Sequence, residues 1–224
     1  TLTVLEKVFL QGAAITPHSG EVGLMRDDLR TAGLLPTTSP YSDSLTCDAA
    51  VFTATGNNAI VDWVFLELRS KIDNTISIGT RSALLQRDGD VVDLDGVSPV
   101  RFNGLGVDSF YIVVSHRNHL GVMTNGEVIT SHNGTTLDFT NANNSISYGA
   151  HAQTSLGLPS GKLGLWAGNA FDDKFIQYSG NDPDSPELLS AVLNHSGNSI
   201  FGFPTFSFTE YHQLDLDMNG HVQY

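Results

Sequence analysis

The chain contains a single cysteine, Cys47, so no disulfide can form within it and its fold must rest on packing and hydrogen bonding. No run approaches about 18 consecutive apolar residues, which excludes a spanning helix. Positive charge is also scarce. Against 24 acids there are 11 Lys and Arg, for a formal net charge of −13. Nucleic acid and anionic lipid both require a positive face, so neither is an expected partner. Only 16% of the 224 residues are charged. Long exposed helices would demand more Lys, Glu and Arg than this.

What the sequence does have is 40% apolar residues, 22 Gly, and abundant Asn, Asp, Ser and Thr. That is enough apolar material for one sizeable core, with the turn formers that short strands need. Thr3 to Leu10 reads as a first strand, and the chain opens on it directly, as a mature or excised module would. Leu24, Met25 and Leu29 allow a short helical turn closed by Gly33. The middle reads as strands: Ala49 to Thr55, Ala59 to Arg69, Thr75 to Gln86, Val91 to Leu94, and the apolar run Phe110 to Val114. Val128 to Thr130, Thr136 to Phe139, Ser145 to Tyr148 and Lys162 to Trp166 follow. Asp88-Gly89 and Asp95-Gly96 are turn signals. The expected fold is all-β, an antiparallel β-sandwich of jelly-roll or Ig-like type, over residues 1–167.

Residues 168–224 differ. They hold eight acids and one base, Lys174. Ile176-Gln177-Tyr178 and Val222-Gln223-Tyr224 match at an offset of 46 residues, and at that offset Asn169 aligns with Asp215 and Asp173 with Asn219. This marks a duplicated unit. In the second copy, Asp215, Asp217 and Asn219 stand at positions one, three and five, followed by Gly220. Alternate oxygens on a tight turn, with a Gly that permits positive φ, form a loop of EF-hand or dockerin kind for Ca²⁺. In the first copy Phe171 and Lys174 replace a ligand and the Gly, leaving Asn169 and Asp173, with Asp172, Asn181 or Asp182 able to contribute. The alternative for both loops is Asx turns without metal. A helix starts at Ser185-Pro186, with Leu188, Leu189, Val192 and Leu193 as its buried stripe. The expectation is a small calcium-loop and helix appendage packed on the sandwich.

The segments "GLMRDDLRTAGLLPTTSPY", "TGNNAIVDWVFLELRS", "ALLQRDGDVVDLDGVSPV" and "HRNHLGVMT" resemble large exported or surface proteins of Bacteroidota, adhesin- or hemagglutinin-like and often of type IX secretion type. The tail is similar to the dockerin-like calcium repeats of such proteins. The resemblance implies a secreted, cell-surface location and a structural or adhesive role, with no assigned reaction.

His116-Arg117-Asn118-His119 is the quartet that most invites catalysis. On a continuous strand the two His side chains would face opposite ways, and a turn at Asn118 would relax that. A packing role is the simpler expectation. Glu67 with Arg69, Arg81 or Arg87 suggests a cross-strand ion-pair ladder. No nucleophile elbow, zinc helix or phosphate loop is present. Trp166 and Tyr178 are candidate sugar platforms, which keeps a carbohydrate-binding module of a polysaccharide-degrading protein as the alternative. A hydrolase using Asp or Glu pairs is the weakest reading. Self-association, other surface proteins or a glycan are the expected partners. The first strand, if unpaired, would serve strand addition.

Overall fold

The computed structural model describes residues 1–157, 161–171, 173, 175–177, 179–199 and 204–224. Asp172, Lys174 and Tyr178, singled out above, lie outside that set.

The described residues build a mainly antiparallel all-β fold around one nine-stranded sheet. Its centre is β2 (Ile60–Ser70), flanked by β3 (Ser77–Gln86) and by β6 (Ser109–His116). The first half of β2 is buried on both faces, as the unbroken apolar run requires: Trp63 and Val64 are adjacent and neither is exposed. The Trp63 indole donates to the Pro36 carbonyl at 2.9 Å, which satisfies its one polar atom inside the core.

β1 (Leu2–Lys7) pairs with β5 (Val100–Phe102) through its first residues and with β4 (Asp90–Val92) through its last. On its other side it runs parallel to β9 (Thr135–Asp138). Both edges of β1 are therefore occupied, and the expectation that this strand stands free for strand addition is corrected. β8 (Val128–Ile129) pairs with β6, so the stretch from β8 to β9 touches β6 at one end and β1 at the other. The sheet's two sides are thereby joined through one piece of chain.

Several local expectations shift. Ala49–Thr53 forms 3-10 turns instead of a strand, because the Asp48 carboxylate accepts the Ala50 N–H and starts a helical turn. Ser145 to Tyr148 contributes one isolated bridge, Thr124 to Ser147. At Asp88-Gly89 only Gly89 has positive φ (93°). Glu67 pairs with Arg69 on its own strand, while Arg81 takes Asp93 and Arg87 takes Glu21. The ladder is thus three separate pairs. The short turns α1 (Gln11–Ala14) and α2 (Asp28–Thr31) pack near the start of the chain, α2 being the helical turn closed by Gly33 at φ 69°.

β6 turns at Arg117-Asn118 into β7 (His119–Met123), which pairs back on it. Beside this hairpin the tail begins. Leu120 N–H donates to the Trp166 carbonyl at 2.9 Å, and Leu163–Gly164 (β11) pairs with Thr154–Ser155 (β10). The tail then forms α3 (Asp184–Asn194) and a two-stranded ribbon of β12 (Phe208–Thr209) and β13 (His221–Val222). Pro183, not Ser185, precedes the helix; of the expected stripe Val192 and Leu188 face the buried cluster, joined by Ala191, while Leu189 and Leu193 do not belong to it. These side chains share a small second core with Ala170, Phe208, Leu214 and Val222.

Candidate functional site

The most concentrated polar chemistry lies under the β6–β7 turn. Asp62 sits in the apolar half of β2, where an unpaired carboxylate would cost several kcal/mol. It is completely enclosed, yet all its acceptor capacity is used. Oδ1 accepts from the Tyr211 hydroxyl at 2.6 Å and from the Trp63 N–H at 2.7 Å. Oδ2 accepts from Arg117 Nε at 3.0 Å and pairs with His116 Nε2 at 3.1 Å. Burial alone would raise this carboxyl, but the Arg117 charge and the His116 and Tyr211 hydrogen bonds hold it at about 2. The Arg117 guanidinium, stacked 4.4 Å from the Tyr211 ring centroid, stays protonated throughout.

The turn brings His116 and His119 together, their ring centroids 4.9 Å apart. The opposite-face expectation fails because the chain reverses between them. Gly12 N–H donates to His119 Nε2 at 3.0 Å, which places the His119 proton on Nδ1. Nδ1 then faces the Asn118 Oδ1 acceptor at 2.8 Å and His116 Nδ1 at 3.1 Å. His116 in turn carries its proton on Nε2, toward Asp62. Every donor in this relay meets an acceptor with both imidazoles neutral. Burial is the main force pushing both His pKa values down, His119 well down. Asp62, His116, Arg117, Asn118 and His119 are each at most 4% exposed. A sealed, fully paired cluster can position chain segments; it offers no reacting atom to a substrate.

What it positions is the tail. Asn118 Nδ2 donates to the Asp215 carbonyl at 2.7 Å, and the Asn118 carbonyl accepts the N–H groups of Gly168 and Asn169, both at 3.1 Å. Arg117 also donates to the His212 carbonyl. Arg26 Nη2 donates to the carbonyls of Gly12 (2.9 Å) and Asp217 (2.5 Å). Gly12 is so close to the tail that a Cβ there would lie 2.3 Å from the Leu216 carbonyl oxygen. Gln213 Nε2 ties the Arg117 carbonyl to the Asn169 carbonyl, the latter at 3.1 Å.

The two loops of the repeat are alike in detail. In the second, Asp215 Oδ1 accepts Asn219 N–H at 3.0 Å and Oδ2 accepts Gly220 N–H at 2.9 Å. Asn219 Oδ1 accepts His221 N–H at 2.7 Å, and Asn219 Nδ2 donates to Asp217 Oδ2 at 2.8 Å. In the first, Asn169 Oδ1 accepts Asp173 N–H at 3.0 Å and Asp173 Oδ1 accepts Phe175 N–H at 2.7 Å. Two of these bonds recur at the 46-residue offset read from the sequence. Asp182, at φ 52°, is exposed and shares no hydrogen bond with Asn169 or Asp173 among the described residues. Asp184 closes the first loop instead, its carboxylate accepting Ala170 N–H at 2.7 Å and Gln177 N–H at 2.8 Å.

As a donor set, Asp215, Asp217 and Asn219 suit a hard cation: two carboxylates and an amide oxygen on one tight turn. Each Asp215 oxygen takes one N–H and retains a second lone pair. Burial raises this carboxyl to about 7, against the opposing Gly220 N–H and Arg117. Among the described residues no group of three or more His, Cys, Asp or Glu is placed to hold a metal ion. Trp166 is 36% exposed, with its indole N–H committed to the His151 carbonyl at 3.0 Å.

Asp62, Tyr211, Gln213, Arg26, Gly12 and Asp184 did not stand out as site residues. Asp62 carried a signal: a lone acid inside an apolar strand needs a buried partner, and Arg117 was the cation among the quartet. These features define an all-β body with an acidic tail docked on a buried polar cluster. Compared with known proteins, the chain matches no family model, no curated protein and no solved structure.

Proposed function

We propose that the chain is a non-catalytic extracellular module, structural or adhesive, built as a sandwich whose acidic tail is stabilised by Ca²⁺ at Asp215, Asp217 and Asn219. The observation that carries this reading is the manner of docking. The body holds the second loop through its backbone carbonyls, at His212, Asp215 and Asp217, and so leaves the loop's side-chain oxygens to the loop's own N–H groups and to a cation. A divalent ion there would offset the local acid excess and fix the ribbon of β12 and β13. Modules outside the cell bind calcium at about 10⁻⁴–10⁻³ M, a range the extracellular concentration fills. The sealed state of Asp62, His116 and His119 supports a scaffold role for the quartet.

The test is calorimetric titration with calcium beside thermal melting, using the whole chain and Asp217→Asn. Asp217 is exposed and its side chain takes no part in the docking, so the variant keeps the fold. The expected result is a midpoint raised by several degrees in millimolar calcium for the native chain, and about tenfold weaker binding for the variant. No heat of binding and no shift in midpoint would remove the metal from the reading.

A further inference from the structure

The docking cluster does more than hold the tail. Asn118 binds the first residue of both loops: its carbonyl takes Asn169 N–H and its amide gives to the Asp215 carbonyl. Gln213, two residues before Asp215, donates to the carbonyls of both Asn169 and Arg117. The loops also share apolar neighbours, since Ala170 of the first and Leu214 and Val222 around the second lie in one buried cluster. Neither loop can move its first residue without breaking a bond that the other loop's anchor shares. From this geometry we infer that the two loops are one coupled unit, joined through Asn118 and Gln213, so that ordering either one orders the other. Coupling of this kind is a property of the chain itself. It reaches beyond the calcium reading, which it uses only to say what would order a loop in service.

Equilibrium coupling is reciprocal, so the unit can be probed from both ends. Amide hydrogen exchange on the whole chain, without added cation, reads each loop separately. Asp173→Ala removes the Phe175 bond from an exposed position in the first loop, and Asp217→Ala removes the Asn219 contact from an exposed position in the second. The expected result is that Asp173→Ala speeds exchange at Asn219, Gly220 and His221, and that Asp217→Ala speeds it at Asp173 and Phe175. Each transmitted effect should be roughly tenfold, within the range of ordinary site-to-site coupling. Gln213→Ala should cut both transmitted effects to less than about threefold while each direct effect remains. A disturbance confined to the mutated loop, or passed in one direction only, would overturn the inference. If the loops prove coupled by exchange but calcium leaves both unchanged, the metal reading fails and the coupling stands. If calcium binds and exchange shows independent loops, the reverse holds.

Discussion

Gly12 shows how much one missing methyl can carry. Its N–H is the donor that sets the His119 tautomer, and its Cα lies against the Leu216 carbonyl. A Cβ would strike backbone, which cannot swing aside as a side-chain tip can. Gly12→Ala should therefore lower stability by about 2 kcal/mol or more, seen as a lower urea midpoint, with the tail amides losing protection first. An unchanged midpoint would mean that the tail is not seated on Gly12. At this scale the sequence was partly legible. Asp215, Asp217 and Asn219 could be read as a loop because their spacing is local. Asp62 and Tyr211 are 149 residues apart, and no local pattern joins them. Their pairing follows from β2 and the tail meeting in space.

Among elements, the β6–β7 hairpin decides most. A strand read straight through His116 and His119 separates the two rings, and the turn at Arg117-Asn118 brings them to hydrogen-bonding distance. That turn lacks Gly and Pro, and Asn118 was its one turn signal. It is held instead by its own polar side chains and by the tail. The 46-residue repeat, by contrast, was visible because equivalent residues make equivalent hydrogen bonds in both copies. The strand expected over Ala49 to Thr55 failed for a local reason, the Asp48 cap. Asn118→Ala should free the Asp215 carbonyl and weaken the clasp on the second loop directly, and on the first only through the coupling between them. Limited proteolysis should then cut within 168–224 about tenfold faster than in the native chain while the body stays intact. Equal cleavage rates would show that Asn118 is incidental to docking.

For the whole molecule, the buried titratable groups set opposing pH limits. Burial drives Glu6 from 4.5 up to about 8, with neither carboxyl oxygen paired. A carboxyl raised in the folded state favours folding below its ordinary value, and that advantage is lost as pH rises through about 8. Asp215, raised to about 7, acts in the same direction. His116 and His119 are depressed below their ordinary 6.5, so the unfolded chain takes up their protons more readily and stability is lost as pH falls below 6.5. Without added cation, thermal midpoints should fall as pH rises from 6.5 to 8, where the His contribution no longer offsets the two carboxyls, and Glu6→Gln should flatten that decline. A midpoint still climbing from pH 6.5 to 8.5 would contradict the burial of Glu6. The all-β body was legible at this scale from composition and turn spacing. Its closure through β8 and β9 was not, because those short strands pair with distant partners.

The meeting of Gly12 with Leu216 has a temporal consequence. A chain emerging in order from a ribosome presents Asp62 and Arg117 long before Tyr211 and His212 exist to receive them. Until the ribbon of β12 and β13 arrives, the body must keep a charged pair half-solvated at what will become its dry interior. The ribbon thus acts as a closing stitch, drawn in after the body that receives it.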